Sequence, residues 1–185
     1  MVCKISISPY AYVIWVMVLL LLPASWWLGV LMASAVHELF HVAAIRLTGG
    51  QVTRMYIGPL GAKLETLPMS RHREALCAAA GPLGSLIFAA VLPIYPEAAL
   101  CAAAQGLYNL LPFYPLDGGR ILKCILTDAA YSAVWCSSLI LLSGLSLWCA
   151  CCLHLGVLPV IVMSVTVLRA FERKIPCKET NLAVQ

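Results

Sequence analysis

Histidines four residues apart on a helix present their rings on one face, and His37-Glu38-Leu39-Phe40-His41 has that spacing. Two imidazoles so placed can bind one metal ion. The carboxylate beside the first can then take a proton from a water that the metal has acidified. The pentapeptide lies inside an apolar run, where each ionisable side chain costs about 2.5–3.5 kcal/mol to insert at the helix centre. Three polar groups in five residues therefore call for a functional reason. Interhelical hydrogen bonding is the plainer alternative.

A catalytic zinc ion usually keeps three protein ligands and one open position, so a third donor is required. His72 sits in a basic loop and reads as a surface residue, and His154 falls at the opposite membrane face. Asp117 is better placed, in Asn109-Leu-Leu-Pro112-Phe-Tyr-Pro115-Leu-Asp117-Gly118-Gly119-Arg120. Pro112 and Pro115 interrupt helical hydrogen bonding, and Gly118-Gly119 permit close backbone approach, so the stretch is expected to be unwound. Broken backbone at membrane depth is tolerated where it lines a cavity, which is where a metal and its water would sit. Asn109 has an amide that either donates to a substrate carbonyl or developing oxyanion or ties two helices together. Arg120 reads as a cytosolic anchor. Upstream, Ala78-Ala-Ala-Gly81-Pro82-Leu-Gly84-Ser85 is a run of small residues that lets helices approach closely, and it is expected to support the metal-bearing helix.

The elements that position these residues must be membrane helices. Of 185 residues, 62% are apolar and 11% charged, with a mean hydropathy of +0.93. Soluble domains hold roughly 45–50% apolar and about 25% charged residues, so this chain cannot cover a globule with polar surface. That excludes disorder, fibres and free-standing nucleic-acid binding. Apolar runs at about 5–22, 27–45, 75–95, 98–116, 129–153 and 157–168 read as six spans, which puts both termini on one side. All twelve Lys and Arg fall in the connections and tails of that side, which the positive-inside rule makes cytosolic. Counting inward from Arg46, His41 and His37 are roughly 8–14 Å deep at about 1.5 Å per residue, toward the same face as Asp117.

The 46–74 connection carries Thr48-Gly49-Gly50, a strand-like Gln51–Ile57, Gly58-Pro59 and Lys63–Leu67, the pattern of a hairpin. The nine cysteines show no metal-ligand spacing and read as small hydrophobes, with no disulfide framework. No cleavable signal peptide stands out. The expected fold class is an all-α polytopic membrane protein of about six transmembrane helices, with a small membrane-associated β-hairpin between the second and third. Residues 1–170 form the transmembrane core and 171–185 a short cytosolic tail.

Taken together, these residues resemble site-2-protease-type intramembrane zinc metalloproteases, in particular the stage IV sporulation protein FB branch. Three blocks carry the likeness in family order: His37–His41, Ala80-Gly81-Pro82, and Asn109–Arg120 ending Leu-Asp-Gly-Gly-Arg. Gly58-Pro59-Leu60-Gly61 with Glu65 resembles the loop between the first two. The likeness is close over about 37–120, and it implies that His37, His41 and Asp117 bind one zinc ion. Glu38 would be the general base, with Asn109 helping to hold substrate or intermediate. The hairpin at 48–68 would lie near the substrate entrance and pair with an extended substrate as an added strand. Relatives often have Asn where Ser85 stands, which leaves an amide role there open. No PDZ domain interrupts the chain and no CBS domain follows the last span.

The implied activity is intramembrane endoproteolysis of a membrane-associated protein, such as a sigma-factor precursor, near the cytosolic face. Membrane inhibitor or activator proteins are the implied partners, and mother-cell membranes around the forespore the implied location. Two other functions fit buried His and Asp in membrane helices: a metal transporter and a catalytically silent binding scaffold. Transport calls for ligands shared between two access routes and has no use for Glu38. The complete set of base and ligands argues against a silent scaffold.

Overall fold

The computed structural model describes residues 4–9, 12, 16, 20, 23–58, 61–91, 94–152, 163, 164, 166 and 167. The chain begins with a short strand β1 (Lys4–Ile7), then runs through helix α1 (Ala24–Leu47) into strands β2 (Val52–Gly58) and β3 (Gly61–Thr66). Helices α2 (Arg71–Val91), α3 (Pro96–Asn109), α4 (Asp117–Ile125) and α5 (Asp128–Cys152) follow. Helices α1, α2 and α5 are long and apolar enough to cross a membrane. Helix α3 has 14 residues, about 21 Å, and by itself falls short of a hydrocarbon core about 30 Å thick.

Local chemistry sets the helix limits. Pro23 stands as the N-cap of α1, and Pro96 opens α3, where its missing N–H costs nothing. Helix α1 stops at Thr48-Gly49-Gly50. The Thr48 hydroxyl donates back to the Ala44 carbonyl at 2.8 Å, Gly49 takes φ +76°, and the Gly50 N–H closes on Ile45 O at 2.7 Å. A left-handed residue just past the last turn is the common glycine helix stop.

Helices α1, α2 and α3 form a tight three-helix core by burying small residues every fourth position. The buried ridge of α1 is Gly29, Ala33, His37, His41 and Ile45, and that of α3 is Ala98, Ala102 and Gly106. Helix α2 answers with Cys77, Ala78, Gly81, Pro82, Gly84 and Ser85. Ridges at i, i+4 spacing interdigitate, and small residues bring backbones together where lipid offers no hydrophobic drive. The two histidines thus belong to the packing ridge itself. Among the described residues, helix α5 meets the core through its first turns. Tyr131 is buried there, and Trp135 meets the Phe113 ring edge-on at 6.2 Å. Its later Ile140, Leu141, Leu145, Leu147 and Trp148 face outward, as lipid-facing side chains do.

The expected hairpin is present, with Gly58 opposite Gly61 and Val52 opposite Thr66 in an antiparallel pair. The structure corrects three expectations. Lys4–Ile7 belongs to a strand, not to the start of a membrane span, and pairs in parallel with Arg54–Ile57 to make a three-stranded sheet of order β1-β2-β3. The span expected at 98–116 ends as helix at Asn109, where the loop over 110–116 departs. Asp117 begins a further helix, α4, rather than closing a span. The last two differences arise around prolines and glycines, where composition stays apolar while the backbone changes. Three spanning helices stand among the described residues. Most of the run 5–22, the end of the chain from 168, the 171–185 tail and His154 lie outside the described residues.

Candidate metal centre

The ring nitrogens of His37 and His41 meet the carboxylate of Asp117 in one buried cluster. His37 Nε2 lies 3.2 Å from Asp117 Oδ2, His41 Nε2 lies 3.1 Å from the same oxygen, and the two Nε2 atoms are 3.1 Å apart. All three residues are buried, and the ligand atoms lie within 4.8 Å of one another. The histidines come from adjacent turns of α1 and Asp117 from the first turn of α4, 76 residues beyond His41.

Second contacts bear on the tautomers. His41 Nδ1 lies 2.7 Å from the Cys77 carbonyl oxygen, which can only accept, so Nδ1 carries the proton. His37 Nδ1 lies 2.9 Å from Oγ of the fully buried Ser85, a hydroxyl that either donates or accepts. When Ser85 accepts, both neutral rings turn lone pairs on Nε2 toward each other and toward a carboxylate oxygen. Three acceptors cannot satisfy one another. A cation between them can, and ligand atoms about 2.0–2.2 Å from a tetrahedral zinc ion stand roughly 3.3–3.6 Å apart, close to the spacing here. The donor set fits zinc.

The small residues of α2 make this possible. A Cβ on Gly81 would fall on the His41 ring, and one on Gly84 on the Phe40 ring. Gly118 and Gly119 do the same for α4: side chains there would strike the carbonyls of Leu110, Leu111 and Phe113. The loop over 110–116 folds back on the start of α4 through a cis Tyr114-Pro115 bond, buried Phe113 and Leu116, and a Tyr114 N–H donating to the Tyr131 hydroxyl at 3.1 Å. The sequence expectation of an unwound stretch beside Asp117 is met by this loop.

Glu38 is half-buried one residue from His37, within electrostatic range of His37, His41, Asp117 and Arg120. Asn109 is the last residue of α3; its side-chain N–H donates to the Gln105 carbonyl at 3.1 Å, within its own helix. His72 is exposed on the first turn of α2 and joins no metal cluster among the described residues. Two residues gain contacts that the sequence reading did not assign. Ser85 orients His37. Arg120, read as an anchor, places Nη1 3.5 Å from Asp117 Oδ1 and Nη2 3.8 Å from Glu74 Oε1. Arg120 and Glu74 also line an open recess of about 240 Å³ with Arg71, Tyr114, Lys123 and Cys124. The Lys123 ammonium rests 4.5 Å from the centre of the Tyr114 ring. Burial and the neighbouring Glu74 push the Cys124 thiol up, so this cysteine is kept as a thiol rather than a nucleophilic thiolate.

No protein-family model matches the chain. Over 107 residues it is 31% identical to the zinc metalloprotease MJ0392 of Methanocaldococcus jannaschii, a match that takes in 49% of this chain and 31% of that protein. The chain therefore spans about a third of the length of this curated relative. Its fold is that of the solved site-2 protease from Methanocaldococcus jannaschii, with a TM-score of 0.68 at 20% identity, covering 100% of this chain and 97% of the other.

Proposed function

We propose that the protein is a zinc-dependent intramembrane endopeptidase that cleaves a membrane-associated protein near its basic, cytosolic face. One observation carries the reading: two imidazole nitrogens and a carboxylate oxygen, from helices distant in sequence, converge in a buried cluster with a glutamate beside it. The similarity to a zinc metalloprotease and the site-2-protease fold support it.

His37, His41 and Asp117 would hold the zinc ion, which would supply Lewis acidity to acidify water and polarise a peptide carbonyl. Glu38 takes the proton of the attacking water and passes it to the leaving amine. Asn109 turns its amide from Gln105 to the substrate, or its carbonyl oxygen receives a substrate N–H. A substrate helix has its carbonyls bonded internally, so it must unwind before attack. The sheet assists: among the described residues β3 pairs with β2 alone, and a free strand edge accepts an extended segment as an added strand. On the sequence likeness, the substrate class is a membrane-tethered pro-protein such as a sigma-factor precursor, with inhibitor or activator proteins in the same membrane.

The test is metal content with proteolysis in vesicles. Wild type is expected to hold about one zinc per chain, Asp117→Ala to lose it, and Glu38→Gln to keep it while cleavage of a membrane-tethered reporter stops. Zinc retained by Asp117→Ala would remove the third ligand. Zinc flux across the vesicles without cleavage would make the protein a transporter.

A further inference from the structure

The Asp117 carboxylate has two oxygens, and only Oδ2 faces the histidines. Oδ1 points the other way, to the Arg120 guanidinium one helical turn along α4. That guanidinium is shared. Its other terminal nitrogen reaches Glu74, one turn into α2. We propose that Arg120 is a positioning residue of the metal centre: braced by Glu74, it holds Asp117 so that Oδ2 faces His37 and His41. This inference rests on the metal reading above and deepens it.

Each ligand then has its own outer contact from a different kind of group. His41 has the Cys77 carbonyl, His37 the Ser85 hydroxyl, and Asp117 the Arg120 guanidinium. All three run to or through α2, which supplies Cys77, Ser85 and Glu74. Asp117 needs its brace most, because α4 starts with two glycines and follows a loop. Moreover, a carboxylate turns about its last side-chain bond between equivalent orientations. The ion pair of Arg120 Nη1 with Oδ1 opposes that rotation, and the contact of Nη2 with Glu74 keeps the guanidinium aimed.

Charge alone predicts the opposite. A guanidinium 3.5 Å from the ligand carboxylate competes with zinc for its negative charge, so a purely electrostatic role would weaken metal binding. Arg120 and Glu74 are one-third or more exposed on their side chains, so water screens that competition, whereas the Asp117 side chain is buried with its Oδ1 paired to Arg120. Geometry outweighs repulsion here, and the two effects differ in sign.

The experiment is zinc affinity of the detergent-solubilised full chain, measured by competition with a chromophoric chelator, together with helicity and thermal midpoint of the metal-free proteins. Removal of an outer contact to a metal ligand typically lowers affinity by about 10–100-fold. Arg120→Ala is expected to fall in that range and Arg120→Lys to recover part of the loss. Glu74→Gln should lose less than Arg120→Ala, and the metal-free midpoints should stay close to wild type. Unchanged or tighter zinc binding in Arg120→Ala, or a fall in its metal-free midpoint and helicity that accounts for the loss of affinity, overturns the proposal while leaving the metal centre intact. Wild-type protein that binds no zinc after repletion overturns the metal centre and the proposal with it.

Discussion

Ser85 is the small side chain placed to orient His37 as a proposed metal ligand. It is fully buried and meets His37 Nδ1 at 2.9 Å. Ser85→Ala removes the acceptor and frees the ring to flip or change tautomer, so zinc affinity should drop by about tenfold or more. Ser85→Asn, which restores an acceptor oxygen, should recover part of that loss if the fully packed site admits the larger side chain. Equal affinity in wild type and Ser85→Ala by chelator competition would deny the residue this role. The inner groups were legible in the sequence because His37, Glu38 and His41 are costly inside a membrane run and carry recognisable spacing, while Asp117 follows a proline-broken end of another run and precedes two glycines. The outer ones were not. Ser85 sits in a small-residue stripe that packing explains, the Cys77 contact uses a backbone carbonyl that every residue has, and Arg120 lies among basic residues that topology already explains.

Among the elements, the α1–α2 contact and the loop before α4 set the site, and both depend on absent side chains. Gly81 lies against the His41 ring, and a Cβ there would overlap ring atoms rather than a flexible chain end. Gly81→Ala must therefore push α2 from α1 or turn His41 from Asp117. The expected outcome is zinc content well below wild type with near-normal helicity, read by metal analysis and circular dichroism. Gly119→Ala acts on the other half, since its Cβ would meet the Phe113 carbonyl and Tyr114 nitrogen, which are backbone. Overpacking of this kind costs about 1–3 kcal/mol, so a lowered thermal midpoint is expected even in metal-free protein. A midpoint equal to wild type would mean that the loop yields. The long helices were readable from apolar length alone. Helix α4 was not, because two glycines in its first turn look like a break, and β1 was not, because four residues pairing with a strand about fifty residues away leave no local pattern.

For the whole molecule, orientation in the bilayer ties the site to its substrate. Arg46 at the end of α1, Arg54 in β2, Arg71 and Arg73 at the start of α2, and Arg120 and Lys123 on α4 lie at connections that the sequence reading places on one membrane side. The proposed metal ligands sit toward that side, with both histidines less than three turns from the end of α1. Helix α5 starts next to that basic end at Asp128 and carries Cys151 and Cys152, both exposed, to its far end. If the basic side is cytosolic, those cysteines face outside. The measurement uses two variants that keep or gain a single cysteine: one retaining only Cys152, the other with all cysteines replaced and Arg73→Cys added on the exposed start of α2. A membrane-impermeant maleimide added to intact cells should label the Cys152 protein and spare the Arg73→Cys protein until the membrane is opened. Cys124 is unsuitable as the inner reporter, because burial and Glu74 push its thiol up and slow its reaction whichever side it faces. The reverse labelling would place the catalytic cluster near the outer surface. A cytosolic pro-protein would then be out of reach, and the substrate would have to be sought among proteins tethered on the outside.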